Sequence, residues 1–514
     1  MKESLKKIFY IICLILICIL MFFWVDKKEG FHTDEVFSYG TSNCDDSNVY
    51  QIYGGKDPDN EMMLDKSIIK TISNVIYYNL NKEEFESEYE EIRKTKSSVW
   101  RTREEAKEYV TLDKDEIFNY FVVYYNTGED VHPPLFYFTV HLVSSLIVGN
   151  FSKYIIFSIN LVFLILTLWI IRKIFCVLKK EHLVIPVTLL YGLSIGAIST
   201  VMFQRMYMML TFFTICFLYV NLKIYLNDFK LDKKLKWQLC LTILFGFLTQ
   251  YYFCIYAAIF AFLMLIFMIR RKDKENIKTY IIQFIKMAII GIVIFIPCIY
   301  HIFFSYRGIG GVESEFNFVQ KLYALIKSIF TAQFGSIYVG IIGIVLLVII
   351  TILKRKTVKN KELLLLFILP VIINVLIICK LVPYRSVRYV MNILPLISII
   401  IILILDRIFI NKKKCCIVLT ILSILICTFS NFITTPSYLY VDYKEYKEIA
   451  NKYKDYKFVF VCDGVFNHLK NIEELMTYEE SLMVVPEKLD ILTNDEKLRE
   501  EEEFILSIQK WMRK

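Results

Sequence analysis

The sequence predicts an all-α polytopic membrane protein of about 11–13 transmembrane helices, with a large first external loop and a small external α/β appendage at its C-terminal end. Three observations carry that expectation. Of the 514 residues, 56% are hydrophobic and 16% aromatic, above the roughly 45–50% apolar content of soluble domains. Several apolar runs approach or exceed the roughly 20 residues that cross a bilayer core. Charge is also segregated: the chain carries +9 overall, yet residues 26–131 hold 24 acidic against 13 basic side chains. The positive charge sits in short loops at 172–182, 227–237, 270–278, 354–362 and 411–414, the pattern of loops kept on the cytoplasmic side. Basic residues scattered this way exclude nucleic acid as the partner.

With "MKESLKK" inside, the first span runs outward over about 8–25. No small-x-small cleavage site accompanies it, so it reads as a retained helix rather than a signal peptide. Residues 26–131 then form an external loop too long to be a mere connector. Further spans are expected near 154–171, 183–203, 207–226, 238–250, 252–269, 281–304, 336–353, 363–380, 390–406 and 415–433. That makes eleven crossings and divides the chain into a transmembrane body, 1–433, and an extracytoplasmic region, 434–514. The run 237–270 is too long for one helix, and "TQYYF" (249–253) marks its break. "PPLFYFTVHLVSSLIVG" (133–149) is expected as a membrane-embedded or interfacial helix, because a full crossing there would put the basic loop 172–182 outside. In the tail, "KFVFVCDGVF" (457–466) alternates like a strand and "NDEKLREEEEFILSIQKWM" (494–512) has a helical pattern. No internal repeat of the kind found in many transporters is visible.

The 13 cysteines lie mostly in apolar segments, where they act as small hydrophobes. No CxxC pair and no Cys/His run with zinc spacing occurs. Cys44 and Cys462 fall in the two polar regions and either pair with each other or, the preferred reading, are unrelated thiols.

The residues that can carry chemistry gather on the expected outer side. In "GFHTDEVFSYG" (30–40), Asp34 and Glu35 follow the first span directly. They are either solvated interface residues or a general base, since an ionised carboxylate can take a proton from an attacking hydroxyl. In "DVHPPLFYF" (130–138), two prolines push His132 into extended backbone. It is a bystander at a helix start or a donor to an anion. Arg205 in "FQRMY" and Arg385 and Arg388 in "VPYRSVRY" either snorkel to headgroups or grip phosphate, for which the guanidinium is well shaped. Gln250, Tyr251 and Tyr252 line a sugar or belong to an aromatic belt, and Tyr207 is a further substrate-binding candidate. "GIGG" (308–311) lacks the strand–loop–helix setting of a phosphate loop.

Taken in order, "HTDEVFSYG", "DVHPPLFYF", "FQRMYMML", "FLTQYYF" and "VRYVMNILPLI" resemble the C-type (GT-C) membrane glycosyltransferases. The likeness is to the branch of protein O-mannosyltransferases, aminoarabinose transferases of lipid A and their bacterial relatives, and it runs over roughly residues 8–406. It implies transfer of a sugar from a polyprenyl-phosphate donor to an extracytoplasmic acceptor: a protein, a cell-wall polymer or a glycolipid. It implies Asp34 as catalytic base with Glu35 beside it, inversion at the sugar carbon, and His132, Arg205, Arg388 and Arg385 around the donor phosphate. It implies no cofactor; a divalent metal has no support from the residues. The long acidic first loop and the tail from 434 depart from the family pattern. Membrane lipids are the expected surroundings, and the Lys-, Ile- and Asn-rich composition points to a bacterial plasma membrane. The rival expectations are a transporter of lipid-linked saccharide and an O-antigen-type polymerase.

Overall fold

The first helix, α1 (Glu3–Asp26), has apolar residues on every face. Its Tyr10, Cys13, Ile17, Met21 and Trp24, spaced three and four apart, are buried, while Ile8, Ile12, Ile15, Ile19 and Phe22 are exposed. A helix greasy on its outward face is a liability in water and at home in lipid. The same pattern recurs down the chain in a computed structural model that describes residues 3–44, 100–129, 132–303, 316–353, 361–382, 385–462, 465–499 and 503–508. Most of the first loop, Asp130, Tyr384 and "GIGG" lie outside the described residues.

Eight described helices are long and apolar enough to cross a membrane: Ser4–Asp26, Lys153–Val177, Tyr207–Leu226, Tyr252–Arg270, Lys274–Ile294, Glu362–Leu381, Val387–Ile408 and Lys412–Ile433. Two bent pairs raise the number to ten when each is taken as one span. The eleventh expected crossing, 238–250, falls in Lys233–Thr249, whose 17 residues extend roughly 26 Å, short of the roughly 30 Å core. Its end at Gln250 is the expected break, with Gln250 in extended backbone. The helix Leu135–Ser144 has ten residues, about half a crossing, in keeping with an embedded or interfacial segment. The protein is thus a mainly helical, multi-pass membrane protein.

The chain divides into two compact units, residues 1–25, 157–296 and 309–437, and residues 26–156, 297–308 and 438–514. In the first, the span expected at 183–203 is not straight: Glu181–Gly192 and Ile195–Met202 meet at 57°. Such a break frees backbone groups that lipid cannot satisfy, and side chains take them. Asn431 donates to the Leu193 carbonyl at 2.9 Å, and Ser194 accepts from the Ala197 N–H at 3.1 Å. Asn160 donates to the carbonyls of Val201 and Phe203 at 3.1 and 3.0 Å. The second bend, 84° between Phe318–Phe334 and Ile337–Leu353, turns on Gly335 at φ +75°, where a Cβ would lie 2.6 Å from the Ser430 Cα. Thr434 donates to the Gly335 carbonyl at 2.7 Å.

The second unit holds a four-stranded sheet, β1 (Trp100–Thr102), β2 (Phe458–Val461), β3 (Glu480–Val484) and β4 (Ile505–Ile508), in the order β1-β3-β2-β4. β2 runs parallel to both β3 and β4, and β1 closes the edge antiparallel to β3, with Arg101 opposite Ser481. All four β2 residues are buried, as befits a central strand covered on both faces. Val459, Val461, Leu482, Val484 and Leu498 form one face of the core; Phe458 stacks on Tyr478 at 4.5 Å on the other. The expected strand near 457–466 is β2. The expected helix over 494–512 is corrected: among the described residues the helix there is confined to Asn494, which ends Ile491–Asn494, and Glu496–Arg499, and Ile505–Ile508 pairs with β2 as a strand. Nor does the tail build its sheet alone, because β1 comes from the first loop.

Replacing Gly335 by alanine forces a side chain into left-handed backbone against Ser430. It should lower stability by about 1–3 kcal/mol, read as earlier thermal unfolding of the detergent-solubilised protein.

Candidate functional site

The helix after the first span, α2 (Thr33–Asn43), has a sequence that does not favour helix on its own, TDEVFSYGTSN, rich in Thr, Ser, Gly and Asn. It forms because both its ends are tied. His32 is the N-cap: its Nδ1 accepts the Asp34 N–H at 3.0 Å, and the Glu35 carboxylate accepts the His32 N–H at 2.7 Å. This is a capping box with histidine in the Ser/Thr position. With Nδ1 acting as acceptor, the neutral ring carries its proton on Nε2. At the other end Asn126 donates to the carbonyls of Thr41 and Cys44 at 3.3 and 2.7 Å. His141 Nδ1 lies 2.7 Å from the Ser42 carbonyl and donates to it. Of these partners, Asn126 lies on α4 (Tyr120–Glu129) and His141 on α5 (Leu135–Ser144), with α3 (Arg103–Val110) also packing on α2.

Glu35 and Asp34 are adjacent in sequence and opposite in circumstance. Glu35 has no exposure and receives the Lys28 ammonium at 2.9 and 3.1 Å. Lys28, equally buried, also donates to the Tyr438 carbonyl at 2.7 Å and lies 5.5 Å from the Phe31 ring and 5.3 Å from the Tyr440 ring. Burial pulls the Lys28 amine down, against the pull of Glu35, which favours its charge. Tyr438 and Tyr440 adopt φ of 68° and 50°, costly for non-glycine residues. The same turn sets Tyr443 against Gly30, where a Cβ would stand 2.8 Å from the ring. Asp34 keeps a side chain 30% exposed, its Oδ2 3.6 Å from His32 Nδ1. The rings of Tyr438 and Tyr440 lie 6.2 and 6.5 Å from the His32 ring.

A further set of charges underlies this turn. Lys447 joins Glu29 at 2.9 Å and Glu473 at 3.5 Å. Burial alone would lower Lys447, but these carboxylates outweigh it and hold its pKa up. Burial, with Glu473 adding, pushes Glu474 up to about 7, and its Oε1 makes no hydrogen bond among the described residues. Burial holds His468 down to about 3.

The other expected site residues are distributed as follows. His132 is half-buried just before Pro133 and Pro134, which start α5, so the "HPPL" element reaches α2 through α5. Arg205, Tyr207, Arg388, Arg385, Gln250 and Tyr251 belong to the first unit. Arg205 is 4% exposed, too buried to snorkel to headgroups. Arg388 donates to the Tyr389 hydroxyl at 3.1 Å, Tyr389 packs edge-on against Tyr252 at 5.5 Å, and Tyr207 feels the charges of both Arg205 and Arg388. Arg385 is exposed and covers the Phe316 ring at 3.6 Å. Gln250 is buried and its Oε1 accepts the Tyr251 N–H at 2.7 Å, so it serves the helix break. Among the described residues no set of three metal-ligating side chains converges at Asp34. Cys44 is half-buried and Cys462 buried. Sequence reasoning missed Lys28, Tyr438, Tyr440 and the cap made by His32; only the last left a signal, an N-cap residue three before a glutamate.

Comparisons with family models, curated proteins and solved structures return no match.

Glu35→Gln leaves a buried ammonium without its counter-ion and should cost about 3–5 kcal/mol. Asp34→Asn should change stability by no more than about 0.5 kcal/mol; thermal unfolding of the two variants side by side checks the contrast. Glu474 keeps its proton in the folded state up to about pH 7, while the unfolded carboxyl loses it near its ordinary 4.5. Its contribution is therefore full at low pH and lost as pH rises through about 7. Glu474→Gln, neutral throughout, should gain about 1–3 kcal/mol over the wild type between pH 5 and pH 8, measured as the pH dependence of the difference in unfolding temperature.

Proposed function

We propose that this protein is a membrane glycosyltransferase that moves a sugar from a polyprenyl-phosphate donor to an extracytoplasmic acceptor, with Asp34 as the base. The observation that carries the reading is the division of labour in the "DE" pair. Glu35 is consumed by Lys28 and the cap of α2, whereas Asp34, one residue away on the same rigid turn, presents a partly exposed carboxylate. A base needs that combination of fixed backbone and reachable oxygen. The acceptor hydroxyl loses its proton to Asp34 as its oxygen bonds to the anomeric carbon. The bond from that carbon to the phosphate oxygen breaks, the sugar inverts, and the lipid phosphate leaves with the electron pair. Arg205 and Arg388, with Tyr207 near both, are the phosphate-gripping candidates; His132 is a fourth. Glu35 is a positioning residue. The acidic loop and the tail face the outside of a bacterial plasma membrane in this reading. No cofactor takes part.

The two bent spans favour a second reading, a transporter of lipid-linked saccharide, because broken helices mark many transporter binding sites. Against it, the bends here are lined by amides, hydroxyls and a glycine rather than by charge.

The deciding experiment is transfer of radiolabelled sugar from polyprenyl-phosphate donors to membrane acceptors by the reconstituted protein. Wild type should form labelled product, and Asp34→Asn, folded alike, should form about 10²–10⁴-fold less. Equal transfer by both sinks the role of Asp34. Absence of product across a broad donor panel, with protein-dependent movement of labelled lipid between leaflets, puts the transporter reading in its place.

A further inference from the structure

A cluster that the proposed reaction leaves unused lies among the basic loops of the membrane unit. Three separate pieces of chain build it. His182 sits in the turn Glu181–Leu183, Asp406 opens the turn Asp406–Ile408, and Cys415 lies in the first turn of Lys412–Ile433. The two oxygens of Asp406 are used differently. Oδ2 pairs with the ammonium of Lys180. Oδ1 faces His182 Nε2 at 2.7 Å and Cys415 Sγ at 3.4 Å. The nitrogen, oxygen and sulfur donors all lie within 4.8 Å of one another. Cys415 is buried, and the side chains of His182 and Asp406 are 15% and 12% exposed, so the cluster is only partly open to water. The Lys180–Asp406 pair alone would staple the loops together. It gives no reason for a thiol and an imidazole to converge on the oxygen that the lysine leaves free.

We propose that His182 Nε2, Asp406 Oδ1 and Cys415 Sγ bind a divalent transition-metal ion of the zinc type, with a fourth position open to water. A mixed nitrogen, oxygen and thiolate set suits a borderline-soft cation and is foreign to calcium and magnesium, which take oxygen. On binding, His182 offers its Nε2 lone pair with the ring proton on Nδ1, so that the imidazole is neutral, and Cys415 releases its thiol proton to solvent. The aspartate and the thiolate then balance the two positive charges, and Lys180 remains on Oδ2 as an outer partner. Tetrahedral coordination separates nitrogen and oxygen by about 3.4 Å, so the His182–Asp406 contact opens by less than an ångström. The ion would pin the segment after Lys153–Val177 to the start of Lys412–Ile433. This inference is independent of the glycosyltransferase reading.

The test is titration of the full-length, detergent-solubilised protein, stripped with chelator, with Co²⁺ and then with competing Zn²⁺. One Co²⁺ per chain should bind and give a near-ultraviolet thiolate-to-cobalt charge-transfer band that Zn²⁺ abolishes. Cys415→Ser, which keeps the Lys180–Asp406 pair, should lose the band. His182→Gln should weaken binding at least tenfold, since loss of even an outer-shell partner costs roughly 10–100-fold. Failure of the wild type to bind Co²⁺, or a band unchanged in Cys415→Ser and therefore owed to another of the 13 cysteines, overturns the proposal. If Cys415→Ser does not stay monodisperse, the His182→Gln affinity decides: unchanged binding refutes the site.

Discussion

The buried ion pair of Lys28 and Glu35 is the constraint from which the candidate site is organised. Two charges without solvent cost several kcal/mol each to desolvate, and Coulomb attraction compensates only with good geometry and full hydrogen bonding. Both conditions hold here. The carboxylate takes the ammonium and the His32 N–H, and the ammonium takes the Tyr438 carbonyl between two aromatic faces. One pair thereby fixes the chain between residues 28 and 35, the first turn of α2, and a tyrosine-rich segment held in left-handed backbone. Asp34 inherits its position from its neighbour's bond.

The membrane unit solves a related problem with neutral groups. A bent span leaves carbonyls and N–H groups that lipid cannot hydrate. Asn160, Asn431, Ser194 and Thr434 supply the missing bonds without importing charge. Amides and hydroxyls in the spans, ion pairs in the other unit: each region uses the polar chemistry that its surroundings can bear. The charged cluster of Lys180, His182 and Asp406 stands where the spans give way to basic loops, and there charge returns.

The membrane character, the break at Gln250, the short helix after the two prolines and the strand at 458–461 were legible in the sequence, because each follows from local apolarity or period. Bends inside an apolar run were not, since hydropathy is blind to direction; 183–203 reads as one crossing and is two helices. The segment 505–508 reads as helix because its neighbours are charged and periodic, yet pairing with β2 overrides the local preference. At the site, a carboxylate pair was visible, but not which member is locked. That depends on Lys28, seven residues earlier, and on a carbonyl 410 residues from it. Likewise no zinc-type spacing reveals His182, Asp406 and Cys415, whose meeting is set by helix packing.

The long reach of these contacts has a consequence for biogenesis. Lys28 waits for Tyr438, and β1 waits for β3, so neither can be completed until nearly the whole chain has left the ribosome and the intervening spans have been inserted. Domains with such non-local pairing fold late and slowly. The region around Asp34, among the first to be translated, is among the last to mature. A chain truncated or misthreaded anywhere in between lacks the partners that hold Lys28 and β1 in place, which makes completion of the membrane body a checkpoint on the maturation of this region.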